Sequence, residues 1–312
     1  MSQTRRELKQ AAKGLAFLSP WLIGFIVLTL IPVAMSAYFS LTDYSLLQKP
    51  AYIGLENYRE LMTSQRPGMT GHGDAHFWTV VKNTCYYAAV ALPGGIIISL
   101  LLALLLNLKV PGQALYRTII FLPSLVPEVA SAFIWMWMFN AKLGLINVAL
   151  TWKFPLIGQV VHTAPGWLTD TRWAMPAMIL MSFWGVGNTV IIFLAGLQDV
   201  PKELYEAAEI DGAGIAGRMR HVTLPMLSPV IFFNLIMAII GTLQFFSIPQ
   251  LMTQGNPAES TRFYTMYLRD NAFVFLKMGY ASAMAWIQVL IILALTAIAF
   301  GTSRKWVHYQ GK

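Results

Sequence analysis

Charge and cysteine are both scarce in this chain of 312 residues. Charged residues make up 12% of the sequence and hydrophobic residues 56%, whereas an ordinary soluble domain carries about 25% charged residues. This composition excludes a soluble globular core and indicates an integral membrane protein. The single cysteine, Cys85, has no second cysteine to pair with, so an internal disulfide is excluded as well.

Sequence signatures of catalysis are also missing. The chain has no Walker-type glycine loop, no H-E-x-x-H, no G-x-S-x-G and no paired carboxylates within one hydrophobic run. An intramembrane enzyme would need a nucleophile beside a base, but no histidine lies in a hydrophobic run to activate Cys85. We therefore expect no enzymatic activity, no metal site and no cofactor bound by this chain.

The formal net charge of +8 raises nucleic-acid binding as an alternative. The basic residues, however, are scattered at the ends of hydrophobic runs, which is the pattern of membrane anchoring. We therefore expect a lipid bilayer as a partner, and no nucleic acid.

Six hydrophobic runs are long enough to cross a bilayer, which takes about 20 residues. Each must be helical, because an open strand cannot satisfy its backbone hydrogen bonds in lipid. The sequence thus predicts an all-α integral membrane protein with spans at 15–39, 84–107, 116–140, 173–197, 225–247 and 280–302. Kinks or span ends are predicted at the internal prolines, which are Pro32, Pro93, Pro123, Pro127 and Pro176.

The first run is too long for a signal peptide and lacks a small-residue cleavage site, so we expect it to be an uncleaved span. Six spans place both termini on one side of the membrane. With the N-terminus inside, the cytoplasmic segments hold twelve lysines and arginines, and the considerably longer outer loops hold ten. This charge density predicts a cytoplasmic N-terminal segment, 1–14, and a cytoplasmic tail, 303–312.

The most polar internal stretch runs from Asp199 to Pro225, between the fourth and fifth spans, and is here called the bracket. Its sequence predicts a helix that Pro201 starts and Asp199 caps. A glycine that follows Asp211 stops this helix by taking a positive φ, and a second short helix begins at about Ile215. The small-residue face predicted for the first helix comprises Leu204, Ala207, Ala208 and Ile210.

The bracket resembles the EAA loop of ABC importer permeases. The resemblance rests on separated elements at the family's spacing, which are Glu206, Ala207, Ala208, Gly212, Val222, Leu224 and Pro225. Val222 stands where the family has isoleucine. The resemblance implies a type I ABC importer permease fold, in which the bracket is the coupling helix that docks into a cytoplasmic ATPase subunit. A solvated connector is the alternative, but it would need neither the glycine nor the spacing.

Further segments are similar to the carbohydrate branch of that family, of the maltose and glycerol-phosphate type. They are 54–58, within a predicted amphipathic helix at 52–62, together with 138–147, 251–273 and 278–286. The resemblance implies a second homologous permease, two ATPase subunits that hold ATP and Mg²⁺, an extracytoplasmic binding protein, and a prokaryotic cell membrane. The expected solute is a sugar, a polyol or glycerol phosphate.

Two stripes match, by their distance from the bracket, the positions that touch sugar in the maltose-type relative. They comprise Met181, Trp184, Gly185 and Asn188 in the fourth span, and Ala238, Gly241, Thr242 and Phe245 in the fifth. Aromatic rings stack on the CH surface of a sugar, and amides or hydroxyls bond its hydroxyls. Asn234 and Gln244 are weaker candidates. The sequence leaves open that Trp184 and Phe245 only fill helix packing and that the glycines allow close helix approach.

Glu128 is the only acidic residue within a predicted span. It supports an alternative function, an ion-coupled secondary carrier that would use this carboxylate. We expect instead that Glu128 lies near the outer end of its span beside a helix break. His72 and His76 are spaced like a metal pair on a helix, but the glycines between and before them predict a polar loop.

Overall fold

The computed structural model describes residues 3–63, 75–108, 110–153 and 165–308. These residues are mostly helical, with one small antiparallel sheet in which β1, Thr42–Asp43, pairs with β2, Ala51–Tyr52. The predicted all-α fold class is confirmed.

The helices of the first half begin with α1 and α2, which a π-helical turn, Ile26–Leu30, joins into one long rod. A 3₁₀ turn, Leu122–Leu125, follows α5. The helices are α1 Gln3–Phe25, α2 Ile31–Ser40, α3 Glu56–Thr63, α4 Ala75–Asn107, α5 Gln113–Phe121, α6 Glu128–Met138, α7 Leu145–Lys153, α8 Ala174–Ser182 and α9 Gly187–Gln198.

The second half contains the bracket, two long helices and a short helical region between them. Two π-helical turns occur here, Met219–Thr223 and Asp270–Val274. The helices are α10 Lys202–Ile210, α11 Ile215–Arg218, α12 Leu224–Leu243, α13 Ser247–Met252, α14 Tyr264–Arg269 and α15 Met278–Ser303.

Among the described residues, four helical segments are long and apolar enough to cross a membrane, and two bent helix pairs bring the number to as many as six. The unbroken segments are Lys13–Ser40, His76–Asn107, Ile215–Met252 and Met278–Ser303. They correspond to the first, second, fifth and sixth predicted spans. The second begins before position 84, and the regular helix of the fifth ends at Leu243, before α13 starts.

The third and fourth predicted spans, 116–140 and 173–197, are bent helix pairs instead of single helices, and the kink predicted at Pro127 is present. The third bends by 100° between Leu125 and Glu128. Pro127 causes this break, because proline lacks a donor and disfavours helical backbone in the residue before it, and Val126 is extended with ψ 126°. The fourth bends by 41° after Ser182, where two glycines follow.

By its internal contacts the chain divides into two compact units. The first comprises Met1–Asp74 and Leu268–Ile287, and it is built around the β1 strand. The side-chain amide of Asn57 in α3 donates to the carbonyl oxygens of Ser40 and Thr42, both at 2.9 Å. The predicted helix at 52–62 therefore exists, but it begins at Glu56 because Tyr52 belongs to β2.

The second unit comprises Ala75–Tyr267 and Gln288–Lys312, and it holds the packed helices α4, α9 and α12. Their shared core consists of fully apolar side chains, which are Ala103, Leu106, Val190, Phe193, Leu194, Leu197 and Leu227. Gly196 brings α9 close to α12, because a Cβ atom there would lie 2.8 Å from a methyl carbon of Val230. This close approach holds together the helices on either side of the bracket.

Close packing in the first unit predicts that Gly279→Ala is destabilising. A Cβ atom at Gly279 would clash with the carbonyl oxygen of Thr42, which is a backbone atom and cannot shift as the end of a flexible side chain could. We expect a loss of about 1–3 kcal/mol, the usual cost of overpacking, measured as a lower unfolding temperature of the purified protein.

The control is Gly301→Ala in the same helix, where no atom lies within 4 Å of the new methyl group. Because alanine is the better helix former, by about 1 kcal/mol, this variant should be neutral or slightly stabilising. Equal unfolding temperatures of the two variants would contradict the packing argument.

Candidate functional site

The bracket folds into two short helices around a tight turn, as predicted. The turn is a Schellman motif, in which the N–H of Gly212 donates to the oxygen of Glu209 at 3.0 Å and the N–H of Ala213 donates to that of Ala208 at 2.8 Å. Gly212 has φ +79°, a left-handed conformation that strains any residue with a side chain. Open space surrounds it, so the backbone alone requires a glycine here.

The predicted start of the bracket is wrong by one helical position. Pro201 has ψ 132°, so it precedes α10 instead of starting it, and α10 has no side-chain cap. Asp199 is the residue that ends α9, and Pro201 occupies the N-cap position of α10.

The tip of the bracket exposes an apolar surface. Ile210 and Ile215, on the two sides of the turn, are 86% and 79% exposed, and Leu204 is 40% exposed. Ala207 is exposed and Ala208 is half-buried, while Glu206 also faces solvent. Large apolar side chains exposed together are typical of a binding surface for another protein.

The base of the bracket is tied to the foot of α12. The hydroxyl oxygens of Tyr205 and Thr223 are 3.1 Å apart, and Thr223 is buried. Thr223 in turn donates to the oxygen of Arg218 at 3.4 Å. The remaining motif residues are half-buried, Val222 in the π-helical turn and Leu224 and Pro225 in the first turn of α12. The bracket and the fifth span therefore form one connected element.

A cavity of about 280 Å³ lies in the second unit between α4, the α8–α9 pair and α12. Ala91 and Gly95 of α4 and Ala238 of α12 keep it open by their small size. No residue of its lining, in the part of the chain that the structure describes, carries a charge. Its polar lining consists of Tyr87, Ser99, Ser182, Thr189, Asn234 and Thr242.

Most of these polar groups already use their donors within the protein. The hydroxyls of Ser99, Ser182 and Thr242 donate to carbonyls of their own helices at 2.7, 2.6 and 2.7 Å. The amide of Asn234 donates to the oxygen of Val230 at 2.9 Å. A hydroxyl oxygen keeps acceptor capacity after donating once, so the wall of the cavity is rich in hydrogen-bond acceptors.

The two predicted stripes do not form two helix faces, because the break after Ser182 separates Met181 from Asn188 and because Phe245 lies beyond the end of α12. Of the eight predicted residues, Ala238 and Thr242 line the cavity. Gly185, Asn188 and Gly241 are exposed outside it. Among the weaker candidates, Asn234 lines the cavity and Gln244 is exposed outside it.

The larger side chains of the stripes are packing residues. Met181 is 4% exposed in the main core cluster. Trp184 meets Trp135 edge to face at 6.0 Å, and Phe245 lies flat on Tyr87 at 4.6 Å with 3° between the rings. For Trp184 and Phe245 the packing alternative is therefore the observed one.

The second span also lines the cavity, with residues that were not predicted from the sequence. Ala91, Gly95 and Ser99 follow one another at intervals of four, so they form a stripe of small and polar residues along α4. The spacing is visible in the sequence, but it predicts a cavity only when α12 is known to lie opposite α4.

Glu128 is exposed and begins α6, directly after the break at Pro127. The predicted helix break is present, but α6 continues to Met138, so the break lies inside the run and not near its end. His76 belongs to α4 and not to a loop, and His72 lies outside the described residues. Within those residues no cluster of three metal-ligating side chains occurs.

A strained loop follows α13 and is held by α4. Gln254, Ala258 and Glu259 all have positive φ, between 46° and 58°, which costs free energy in residues other than glycine. The amide of Asn83 in α4 offsets this strain by donating to the oxygens of Glu259 at 2.7 Å and Arg262 at 3.1 Å.

The carboxylate of Glu259 adds a second attachment of the loop. One oxygen lies 2.7 Å from Nδ1 of His76 and the other 2.5 Å from the guanidinium of Arg262. Burial raises the pKa of Glu259, but the hydrogen bonds and charges of His76 and Arg262 outweigh burial and hold this pKa below its ordinary value of 4.5.

Comparison with protein families matches residues 95–307 to the binding-protein-dependent transport system inner membrane component. The chain is 38% identical to the probable ABC transporter permease protein YesP of Bacillus subtilis, over 100% of this chain and 97% of the relative. It is 34% identical to the sulfoquinovosyl glycerol transport system permease protein SmoG of Agrobacterium fabrum, over 90% and 87% of the two chains.

A solved structure shares the fold. It is a bacterial alginate ABC transporter crystallised in complex with an alginate pentasaccharide-bound periplasmic protein. One of its chains superposes with a TM-score of 0.81, at 22% identity, covering 97% of this chain and 98% of the other. The likeness supports the predicted type I importer permease fold.

The lowered pKa of Glu259 predicts a specific loss of stability in acid. The carboxylate contributes stability when it is ionised, so the contribution is present above pH 4.5 and is lost as the pH falls through the lowered pKa. The wild type should therefore unfold at a higher temperature than Glu259→Gln at neutral pH, and the difference should vanish in acid. A difference that is independent of pH would contradict this role.

Proposed function

The chain belongs to the family of binding-protein-dependent transport system inner membrane components, and we propose that it is the permease subunit of an ATP-driven importer for a sugar or related polyol. The observation that carries the proposal is the bracket, which presents the EAA-type motif at a fixed glycine turn between two spans of such a permease. The SmoG relative is named for the transport of sulfoquinovosyl glycerol, and this name supports a carbohydrate as the solute of this chain.

The bracket is the coupling element of this proposal. Its exposed isoleucines fit an apolar groove, and its bond from Tyr205 to Thr223 passes a movement of the tip to the foot of α12. The groove belongs to one of two partner ATPase subunits, which bind ATP and Mg²⁺. This requires the bracket and both termini to be cytoplasmic, in agreement with the distribution of lysine and arginine.

A second, homologous permease completes the membrane domain. The hydrophobic stretch of the first span has no buried portion within the described structure, which supports a protein surface outside this chain for it to pack on. An extracytoplasmic binding protein, from which the family takes its description, delivers the solute. The assembly then alternates between outward and inward access as the ATPase subunits close and open.

The cavity beside α12 is the proposed solute contact of this subunit. Its acceptor-rich wall suits the many O–H donors of a sugar, and the absence of charge among its described lining favours an uncharged one. Ala238 and Thr242 are the predicted pathway residues that belong to it. Gly185, Asn188 and Gly241 are assigned to the exposed side, toward the second permease.

The rival function, an ion-coupled carrier, gains no support from the YesP relative, which is a probable ABC transporter permease by name. Glu128 is exposed at a helix break, with no second carboxylate in the run to form a proton relay. Reconstitution in proteoliposomes with all partners distinguishes the two functions, because a carrier would transport without ATP and would lose transport in Glu128→Gln.

Changes in the bracket should uncouple ATP hydrolysis from uptake. We expect Glu206→Lys and Gly212→Val to abolish stimulation of ATPase activity by a loaded binding protein in proteoliposomes with all partners present. The first places a cation at the docking surface, and the second strains the turn. Uptake of labelled lactose, maltose and glycerol is measured in parallel.

The matched control is Gly214→Val. Gly214 lies two residues along the same turn, but its φ is −67°, which valine adopts, and no atom lies within 4 Å. This variant should retain at least half of the stimulation, because a substitution at an unstrained, open surface site changes the free energy of unfolding by about 0.5 kcal/mol or less. Normal stimulation of ATPase activity in Gly212→Val would contradict the assigned role of the turn.

A larger side chain in the cavity should block the solute. Ala238→Leu fills the cavity and should reduce uptake by about tenfold or more, since overpacking costs about 1–3 kcal/mol. Gly241→Leu, one turn along α12 at an exposed site with open space, should be tolerated. The reverse result would move the pathway to the side of Gly185 and Asn188.

A further inference from the structure

The foot of α12 contains a defect in its backbone hydrogen bonding. Pro229 lies inside the helix and has no N–H, so the carbonyl oxygen of Pro225, four residues earlier, lacks its helical donor. Pro225 has no N–H either, so the first turns of α12 are weakened on one face. This weakened region directly follows the bracket and is a natural place for the fifth span to bend.

The side chain of Ser228 repairs the defect. Its hydroxyl donates to the oxygen of Pro225 at 2.6 Å, in place of the missing backbone donor. Ser228 is 3% exposed, so water does not compete strongly for this bond. The same repair occurs at Pro20 in the first span, where the hydroxyl of Ser19 donates to the oxygen of Ala16 at 2.8 Å.

Ser228 differs from Ser19 because it also accepts a hydrogen bond from the segment that follows the sixth span. After α15 the backbone turns, with the N–H of Val307 donating to the oxygen of Ser303 at 2.8 Å. The N–H of His308 then donates to the hydroxyl oxygen of Ser228 at 2.8 Å. One hydroxyl thus joins the weakened turn of α12 to the segment after the sixth span.

Apolar packing holds the same segment in place. Trp306 meets the ring of Phe232 edge to face at 5.9 Å, one turn above Ser228 on α12. Phe232 is buried and also meets Phe300 of α15 at 4.9 Å. Val307 packs on the same cluster. The segment 304–308 therefore has both a polar and an apolar attachment to the foot of α12.

We propose that Ser228 and residues 304–308 form a positioning element, which keeps the foot of α12 from bending and passes movement of the bracket to the last span as well as to the fifth. The inference rests on the proposed function, because it concerns how the coupling element acts. Without the attachment, the weakened turn absorbs part of the movement, and less of it reaches the helices that line the cavity.

The test compares Ser228→Ala with Ser19→Ala in the assembled transporter in lipid. Both variants lose a serine that repairs a proline defect, but only Ser228→Ala also frees the N–H of His308. Amide hydrogen exchange at 304–308 should be faster by about three- to tenfold in Ser228→Ala, which is the effect expected from losing one ordinary hydrogen bond. The exchange should be unchanged in Ser19→Ala. Ser228→Thr retains the hydroxyl and should restore protection.

The functional measurement is uptake per ATP hydrolysed, with lactose, maltose and glycerol as probes. Ser228→Ala should retain ATP hydrolysis and lose about three- to tenfold in uptake per ATP, with Ser19→Ala close to the wild type. Unchanged exchange in Ser228→Ala would overturn the attachment, and unchanged uptake per ATP would overturn its role. Failure of the proposed function is distinct, since the wild type itself would then show no ATP-dependent uptake of any probe.

Discussion

Backbone groups within a bilayer have no water to bond to, so every N–H and C=O must find a partner inside the protein. This constraint accounts for the predominance of helix and for the use of hydroxyl side chains beside prolines. At the foot of α12 the proline that removes a donor stands next to Ser228, which replaces it. At Pro127, by contrast, the helix ends and the chain turns by 100°.

The same constraint determines the character of the cavity. A hydroxyl in a transmembrane helix commonly donates to a carbonyl one turn earlier, as Ser99, Ser182 and Thr242 do. Each of these side chains satisfies its donor locally, and a hydroxyl oxygen keeps acceptor capacity after donating once. A cavity built this way is polar without charge, which avoids the high cost of an ionised group at bilayer depth. Its chemistry is matched to a solute that brings its own donors.

Much of this architecture could be predicted from the sequence, because it depends on local chemistry. The hydrophobic runs fix the spans, and the Asp211-Gly212 pair fixes the turn of the bracket. The helix breaks were harder to predict, since Pro93 lies inside the continuous helix α4 whereas Pro127 lies at a break between two helices, and the surrounding packing decides between these outcomes. The cavity was hardest, because it needs residues of α4 and α12 that are more than a hundred positions apart. A stripe on one helix does not reveal which helix lies opposite, and so Trp184 and Phe245 were as plausible in a pathway as in a core.

One helix connects the bracket with the cavity. From Ser228 to Ala238 the distance along α12 is about 15 Å at 1.5 Å per residue, and no break interrupts these ten residues. A rigid helix transmits displacement only if its foot does not bend independently, and the foot of α12 carries the proline defect. In the proposed mechanism, the attachment of Ser228 to the segment after the last span therefore decides whether the bracket moves the cavity wall or only bends the foot of its own helix. On the proposed function, stiffness at this position and docking of the bracket tip together determine how the movement reaches the solute.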